Sequence, residues 1–174
     1  MRVIDERRLT DMSDSGICEE LIALMYDKYS EVLFRLCVVQ LGSVSDAEDV
    51  VQDVFIKYMS VMPVFNDEEH EKAWFIRVAI NRCHDKRRAK FYRTAVPLES
   101  ITQYATNDSQ HYVLEELQKL PEKYRAPLVL HYVEGYSVKE IADIMELTES
   151  AVKVRLHRAR EKLRIEIEEA YAYV

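Results

Sequence analysis

The sequence predicts an all-α protein: two small helical domains joined by a flexible linker, the C-terminal one a helix-turn-helix. Three observations carry this. The 174 residues include only three glycines, too few for Gly-rich phosphate loops or a turn-rich β architecture. Ala, Leu, Glu, Lys and Arg dominate long segments whose apolar residues recur at spacings of three and four. That periodicity fades in one internal stretch, TAVPLESITQYATNDSQH at 94–111, which is rich in Thr, Ser, Asn and Gln and carries a proline. The 48% hydrophobic fraction is ample for burial, which excludes a charged disordered chain.

The boundaries follow: an N-terminal extension at 1–16, a helical domain at 17–93, a linker at 94–111 and a second helical domain at 112–174. The first helix is expected at about 19–39, where Leu21, Leu24, Met25, Tyr29, Val32, Leu33 and Leu36 form the stripe, and Gly42 ends it. SDAE at 45–48 has the form of a capping box, with Ser45 as N-cap and Glu48 reaching back. The helix it opens runs to about Met59 and buries Ala47, Val51, Val54 and Tyr58, leaving Asp49, Gln52, Asp53 and Ile56 outside. A Pro-containing loop, VMPVFND, leads to a helix at about 68–91.

That third helix is apolar almost all round its first half: Ala73, Trp74, Phe75, Ile76, Val78, Ala79, Ile80 and Cys83. It must pack inside a bundle and expose only a strip of Arg77, Asn81, His84, Asp85 and Arg88. Aromatic rings beside arginines suit single-stranded nucleic acid, although Trp74 and Phe75 equally suit a protein core. After the linker, helices are expected at about 112–120, 122–133, 138–145 and 149–171.

The last two form the helix-turn-helix. Ser137 and Glu140 make a capping box; Val138, Ile141, Ala142 and Met145 form one stripe, and Leu147 sits in the turn. Thr148 caps a helix whose stripe is Val152, Leu156, Ala159 and Leu163. Its opposite face carries Ser150, Lys153, Val154, His157, Arg158 and Glu161, with Arg155 and Arg160 flanking the stripe at phosphate-contact angles. Glu146 occupies the turn position that many such motifs give to a glycine at positive φ, at a cost of about 1 kcal/mol.

Charge is distributed unevenly. The net charge is −7, yet RVAINRCHDKRRAKFYR (77–93) and KVRLHRAREKLR (153–164) together contribute +11, so the remainder sums to −18. Two basic helices suit two contacts with DNA, while the acidic remainder opposes binding of the free chain to random DNA.

Enzymatic readings find little support. No P-loop, HExxH or paired Cys/His ligand set occurs, and the five histidines are scattered, so no catalytic residue, metal site, cofactor or small-molecule substrate is expected. Three widely spaced cysteines argue against a disulfide framework. No run approaches 18 apolar residues and the N-terminus lacks an apolar signal core, so no membrane insertion and a cytoplasmic location are expected.

DAEDVVQDVFIKY (46–58), AWFIRVAINRCHDKRR (73–88) and VKEIADIMELTESAVKVRLHRAREKL (138–163) occur in that order. The set resembles bacterial sigma factors of the small, two-domain extracytoplasmic-function group, over about residues 17–165. The resemblance implies that Asp49, Gln52, Asp53 and Ile56 meet the clamp helices of the RNA polymerase largest subunit. It implies that the 63–71 loop, including Asn66, and the strip Arg77, Asn81, His84 and Arg88 hold the −10 element of promoter DNA. Ser150, Lys153, Val154, Arg155, His157 and Arg158 would read the −35 element as duplex. An anti-sigma factor is implied as a further partner.

Reach supports the comparison. An 18-residue coil averages about 25 Å and extends to about 60 Å, whereas two DNA elements more than one turn apart lie beyond ~35 Å. Polymerase, by holding both domains, would stretch the linker. The alternative, a stand-alone helix-turn-helix regulator, accounts for 137–164 but leaves Asp49, Gln52, Ile56 and the Trp74 helix without work.

Overall fold

The structure, a computed structural model, describes the backbone of residues 14–92 and 108–172 and the side chains of 19–89 and 114–163. Seven helices occupy the described residues: α1 (Asp14–Leu41), α2 (Val44–Val61), α3 (Glu68–Tyr92), α4 (Asp108–Lys119), α5 (Glu122–Tyr132), α6 (Val138–Met145) and α7 (Glu149–Ala172). Most of the segment expected as linker lies outside the described residues, and α4 begins at Asp108, within its last four positions.

Helices α1, α2 and α3 form a three-helix unit. Gly42 ends α1 at φ +66°, and its N–H donates to the Val38 carbonyl at 2.8 Å. The chain then turns so tightly that Ser43, extended at φ −150°, caps α2 and accepts from the Asp46 N–H at 3.3 Å. This corrects the expected cap. Ser45 lies inside the first turn, because the glycine completes the reversal two residues earlier than the acidic spacing at 45–48 implies. Leu33, Leu36, Val54, Phe75 and Ile76 are fully buried at the centre of the unit. Around Phe75 stand Tyr29, Phe55, Tyr58 and Trp74, with ring centroids at 4.6, 5.6, 5.1 and 5.1 Å. Of the two rings left open by the sequence, Phe75 is core and Trp74 lies half-buried beside Phe65.

The second unit is built as expected. The Ser137–Glu140 capping box forms in both directions, Ser137 N–H to Glu140 at 2.8 Å and Glu140 N–H to Ser137 at 3.2 Å. Glu146 takes φ +54°, and Thr148 accepts from the Ala151 N–H at 3.1 Å. Ile141, Ala142, Val152, Leu156 and Ala159 are buried between α5, α6 and α7.

The two units are packed against each other. Ala126, Val129, Leu130 and Ile144 continue the apolar cluster that contains Leu33, Phe75 and Ile76, so one core runs through both. At the seam the last turn of α1 is capped by side chains from elsewhere. The Gln118 amide donates to the Val39 carbonyl at 2.5 Å, and Arg87 and Arg125 donate to the Gln40 carbonyl at 2.8 and 2.9 Å. Gln118 lies so close to Gly42 that a Cβ there would stand 2.8 Å from its Oε1, a second reason for glycine besides the positive φ.

Candidate polymerase and nucleic-acid interfaces

Three surfaces carry the residues singled out by the sequence. On α2, spacings of three and four put Asp49, Gln52, Asp53 and Ile56 on one exposed face, opposite the buried Ala47, Val51, Val54 and Tyr58. Ile56 is 57% exposed. Lys86 reaches over from α3 to Asp49 at 2.7 Å and Asp46 at 3.3 Å. Burial opposes its charge, but these carboxylates hold the ammonium above its usual range. Sequence reasoning missed the apolar rim that extends this face: Met59, Val61 and Met62 are exposed at the end of α2, Val64 is almost fully so, and Tyr26 lies open on α1 beside Phe55. Continuing the α2 spacing one more turn, from Ile56 to Met59, would have found the first of them.

On α7 the recognition face is open. Ser150, Lys153, Val154, His157 and Arg158 are all exposed, while Val152, Leu156 and Ala159 behind them are buried. Local pairs are loose: Lys153 to Glu149 at 3.7 Å and His157 to Glu161 at 3.4 Å. Such exposed pairs are weak and free to exchange for phosphate. Tyr124 on α5 is buried beneath this face, and the nearby Arg158 guanidinium lowers its pKa. Arg155 differs from its neighbours: it is half-buried and points to the seam between the units.

On α3 Arg77 turns to that seam, while Asn81, His84, Asp85 and Arg88 keep exposed surface. Arg77 donates through Nε to the Ile144 carbonyl at 3.1 Å, through Nη2 to the Asp143 carbonyl at 3.1 Å and through Nη1 to Glu146 at 2.6 Å. His84 sits 2.6 Å from Glu122, which also meets Arg87 at 3.7 Å. Asn81 and Arg155 line the same cleft of about 310 Å³, together with Arg77, His84, Lys123 and Glu146. Arg88 is exposed, away from these contacts. Asn66 is exposed in the loop before α3, its N–H directed at His70 Nδ1 at 3.4 Å. The loop's own geometry is set by Asp67, which accepts from the His70 N–H at 2.7 Å and so starts α3. Of the sequence-derived strip, Arg77, Asn81 and His84 are therefore brought together at this cleft, Arg77 on the α6 C-terminus, whereas Asp85 and Arg88 lie outside it.

Among the described residues, no group of three or more His, Cys, Asp or Glu is placed to hold a metal ion, and no helix is long and apolar enough to cross a membrane.

A helical unit with an exposed acid-and-apolar face is thus joined to a helix-turn-helix with an open basic face. Comparison with known proteins places the chain in a family. Residues 25–90 match Sigma-70 region 2 and residues 110–163 match Sigma-70 region 4. The chain is 30% identical over 165 residues to the ECF RNA polymerase sigma factor SigW of Bacillus subtilis, covering 84% of this chain and 88% of SigW. Two solved structures share the fold, each at 22% identity and a TM-score of 0.65. One is the sigma factor RpoE with the anti-sigma factor NepR from Bartonella quintana, covering 82% of this chain and 98% of that one. The other is CnrH with the cytosolic domain of CnrY, covering 87% and 90%.

The chain belongs to the ECF RNA polymerase sigma factors. It acts as a sigma factor, joining core RNA polymerase and directing it to promoters, and members of this family are initiation factors rather than enzymes.

Proposed function

We propose that the three surfaces divide the work of promoter recognition. The exposed α2 face, Asp49, Gln52, Asp53 and Ile56, binds the clamp helices of the polymerase largest subunit, and the rim at Met59 extends it. The α3 strip of Arg77, Asn81, His84 and Arg88, with Asn66 in the preceding loop, holds the −10 element. Ser150, Lys153, Val154, Arg155, His157 and Arg158 read the −35 element. The domains are those of the sequence reading, 17–93 and 112–174, with the intervening segment as the connection polymerase stretches.

The observation that carries this reading is the separation of the faces. Asp49, Gln52, Asp53 and Ile56 are exposed on α2 and Ser150, Lys153, Val154, His157 and Arg158 are exposed on α7, so polymerase and duplex meet different helices. An anti-sigma factor controls access to these surfaces, in keeping with the complexes that relatives of the same fold form. The location is cytoplasmic, which suits Cys37 and Cys83, buried as free thiols.

The test is gel filtration of the chain with core RNA polymerase, without DNA, alongside Asp49→Arg/Asp53→Arg. Co-elution of the wild type and its loss in the variant support the α2 assignment. Co-elution of both moves the contact elsewhere. Failure of the wild type to co-elute, with specific duplex binding by the chain alone, favours the stand-alone regulator.

A further inference from the structure

The start of α3 is tied to α1. Lys28 Nζ stands 2.9 Å from Glu68 and 2.8 Å from Glu71, so one ammonium bridges two carboxylates of the same helical turn. The Tyr29 hydroxyl donates to Glu71 at 2.7 Å. Tyr29 is 3% exposed and its ring is stacked on Phe75, so this donor is fixed by the core and not by a mobile surface chain. Glu71, then Glu68, holds the Lys28 ammonium well above its usual range. Lys72, next along α3, is directed elsewhere: it lies over the Tyr136 ring at 4.4 Å and reaches Glu140 at 3.4 Å.

The turn held in this way carries the loop assigned to the −10 element. The Glu71 N–H donates to the Asp67 carbonyl at 3.1 Å and the His70 N–H to the Asp67 carboxylate at 2.7 Å, which closes the turn. His70 then meets the loop. Its Nδ1 accepts from the Asn66 N–H at 3.4 Å, and its ring stands edge-on to Phe65 at 5.5 Å. At its other end the loop leaves α2 through Met62, left-handed at φ +43°. Asn66 therefore stands between the end of α2 and a turn pinned by Glu71. A contacting group is held only as accurately as the groups behind it.

We infer that Lys28, Tyr29 and Glu71 are positioning residues for the −10 loop: α1 holds the first turn of α3 through Glu71, and that turn fixes where Asn66 meets DNA. This rests on the assignment of the loop to the −10 element made above. The three residues act on where the loop stands and not on the DNA. Their loss therefore relaxes base preference at −10 and leaves −35 preference and affinity for core polymerase unchanged.

The experiment uses holoenzyme formed from core RNA polymerase and the full chain. The probe is a labelled duplex that the wild-type holoenzyme selects from a random-sequence pool, with its single base substitutions across both elements. Glu71→Ala and Lys28→Met/Tyr29→Phe release the turn from opposite sides. Each should lower preference in the −10 element about fivefold, the lower end of what one base pair contributes. Tyr29→Phe keeps the ring on Phe75, so core packing survives in the double variant. Combining all three substitutions should cost nothing further, because they break one linkage. Glu71→Gln still accepts from Tyr29 and Lys28 and should stay within about twofold of the wild type. Unchanged −10 preference in Glu71→Ala overturns the inference, as does an equal loss at −35 or a further loss in the combined variant. Asn66→Ala tests the loop assignment by itself. If it leaves −10 preference intact, the assignment falls and the inference with it. If it relaxes that preference while Glu71→Ala does not, only the positioning role falls.

Discussion

Arg125 Nη1 donates to the backbone carbonyl oxygen of Gln40 at 2.9 Å, tying α5 to the last turn of α1. The guanidinium is buried and directs three further donors to the Leu120 carbonyl at 2.9 Å, the Gln118 Oε1 at 2.8 Å and the Gln118 carbonyl. Burial, then the charge of Arg87, lowers its pKa to about 10, which leaves it charged at neutral pH. Replacing it by Met leaves buried carbonyl acceptors unmet at the seam. Arg125→Met is therefore expected to destabilise the chain by about 3 kcal/mol. Urea unfolding checks this as a lowered midpoint. Lys153→Ala, which loses one exposed pair to Glu149, should move it by less than about 1 kcal/mol.

The apolar rim of α2 predicts where polymerase affinity resides. Ile56→Ala and Met59→Ala each remove exposed surface that gains energy only when covered. Each is expected to weaken binding to core polymerase by about 1–2 kcal/mol while leaving the unfolding midpoint unchanged. Titration of labelled chain with core enzyme measures the first, and urea unfolding the second.

On α7, base reading and phosphate holding separate by salt dependence. Arg158→Ala should cost about 1–3 kcal/mol of promoter binding by the holoenzyme and relax preference at one −35 base pair. Arg160→Ala, at a phosphate-contact angle, should weaken all sequences alike and lower the salt slope by about 1. Competition binding across single base substitutions at several salt concentrations distinguishes the two.

Two buried tyrosines set an alkaline limit. Burial, with Glu134 and Glu140 nearby, pushes Tyr136 up to about 12, and burial with the hydrogen bond to Glu71 raises Tyr29 well above 10. The unfolded chain ionises these groups near 10, so the folded state keeps protons that the unfolded state has lost. Stability is full below pH 10 and falls as pH rises from 10 towards 12, by at most about 1.4 kcal/mol per pH unit for each group. Tyr136→Phe should reduce that slope, as urea midpoints at pH 9 to about 11.5 would record.

At acid pH the α6 capping box responds in the opposite sense. The Glu140 carboxylate accepts from the Ser137 N–H, which holds its pKa below the usual carboxylate value. Its contribution is present above that value and lost as pH falls through the lowered one. Ser137→Ala should cost about 1 kcal/mol and reduce the acid dependence, because the helix start that orients Glu140 is weakened. Thermal unfolding at pH 3 to 7 tests both.

What was legible in the sequence is what neighbouring residues decide among themselves. Ser137 and Glu140 cap α6, Thr148 caps α7, and Glu146 takes the left-handed turn, since each depends on residues within one helical turn. The cap of α2 was misread because two serines compete at the same spacing to an acid, Ser43 to Asp46 and Ser45 to Glu48. The choice fell to the backbone reversal at Gly42. Phe75 and Trp74 were ambiguous for a different reason: a helix apolar on all sides does not record which ring faces the centre.

The sequence by itself determined the helices, the stripes that become core, the outer faces of α2 and α7, and the family. Those follow from periodicity and local capping, which act over a few residues and are written where they act. Only the tertiary structure decided that Arg77, within the α3 strip, turns to the second unit. Arg77 meets Glu146 and the α6 carbonyls across 66 to 69 residues of chain, and Gln118, Arg87 and Arg125 converge on the last turn of α1. No local pattern announces such contacts, because an arginine that will bind a phosphate and one that will bind a helix C-terminus are the same residue on the same face. Packing of Ala126, Val129, Leu130 and Ile144 onto α1 and α3 brings the second partner into reach, and that makes the choice.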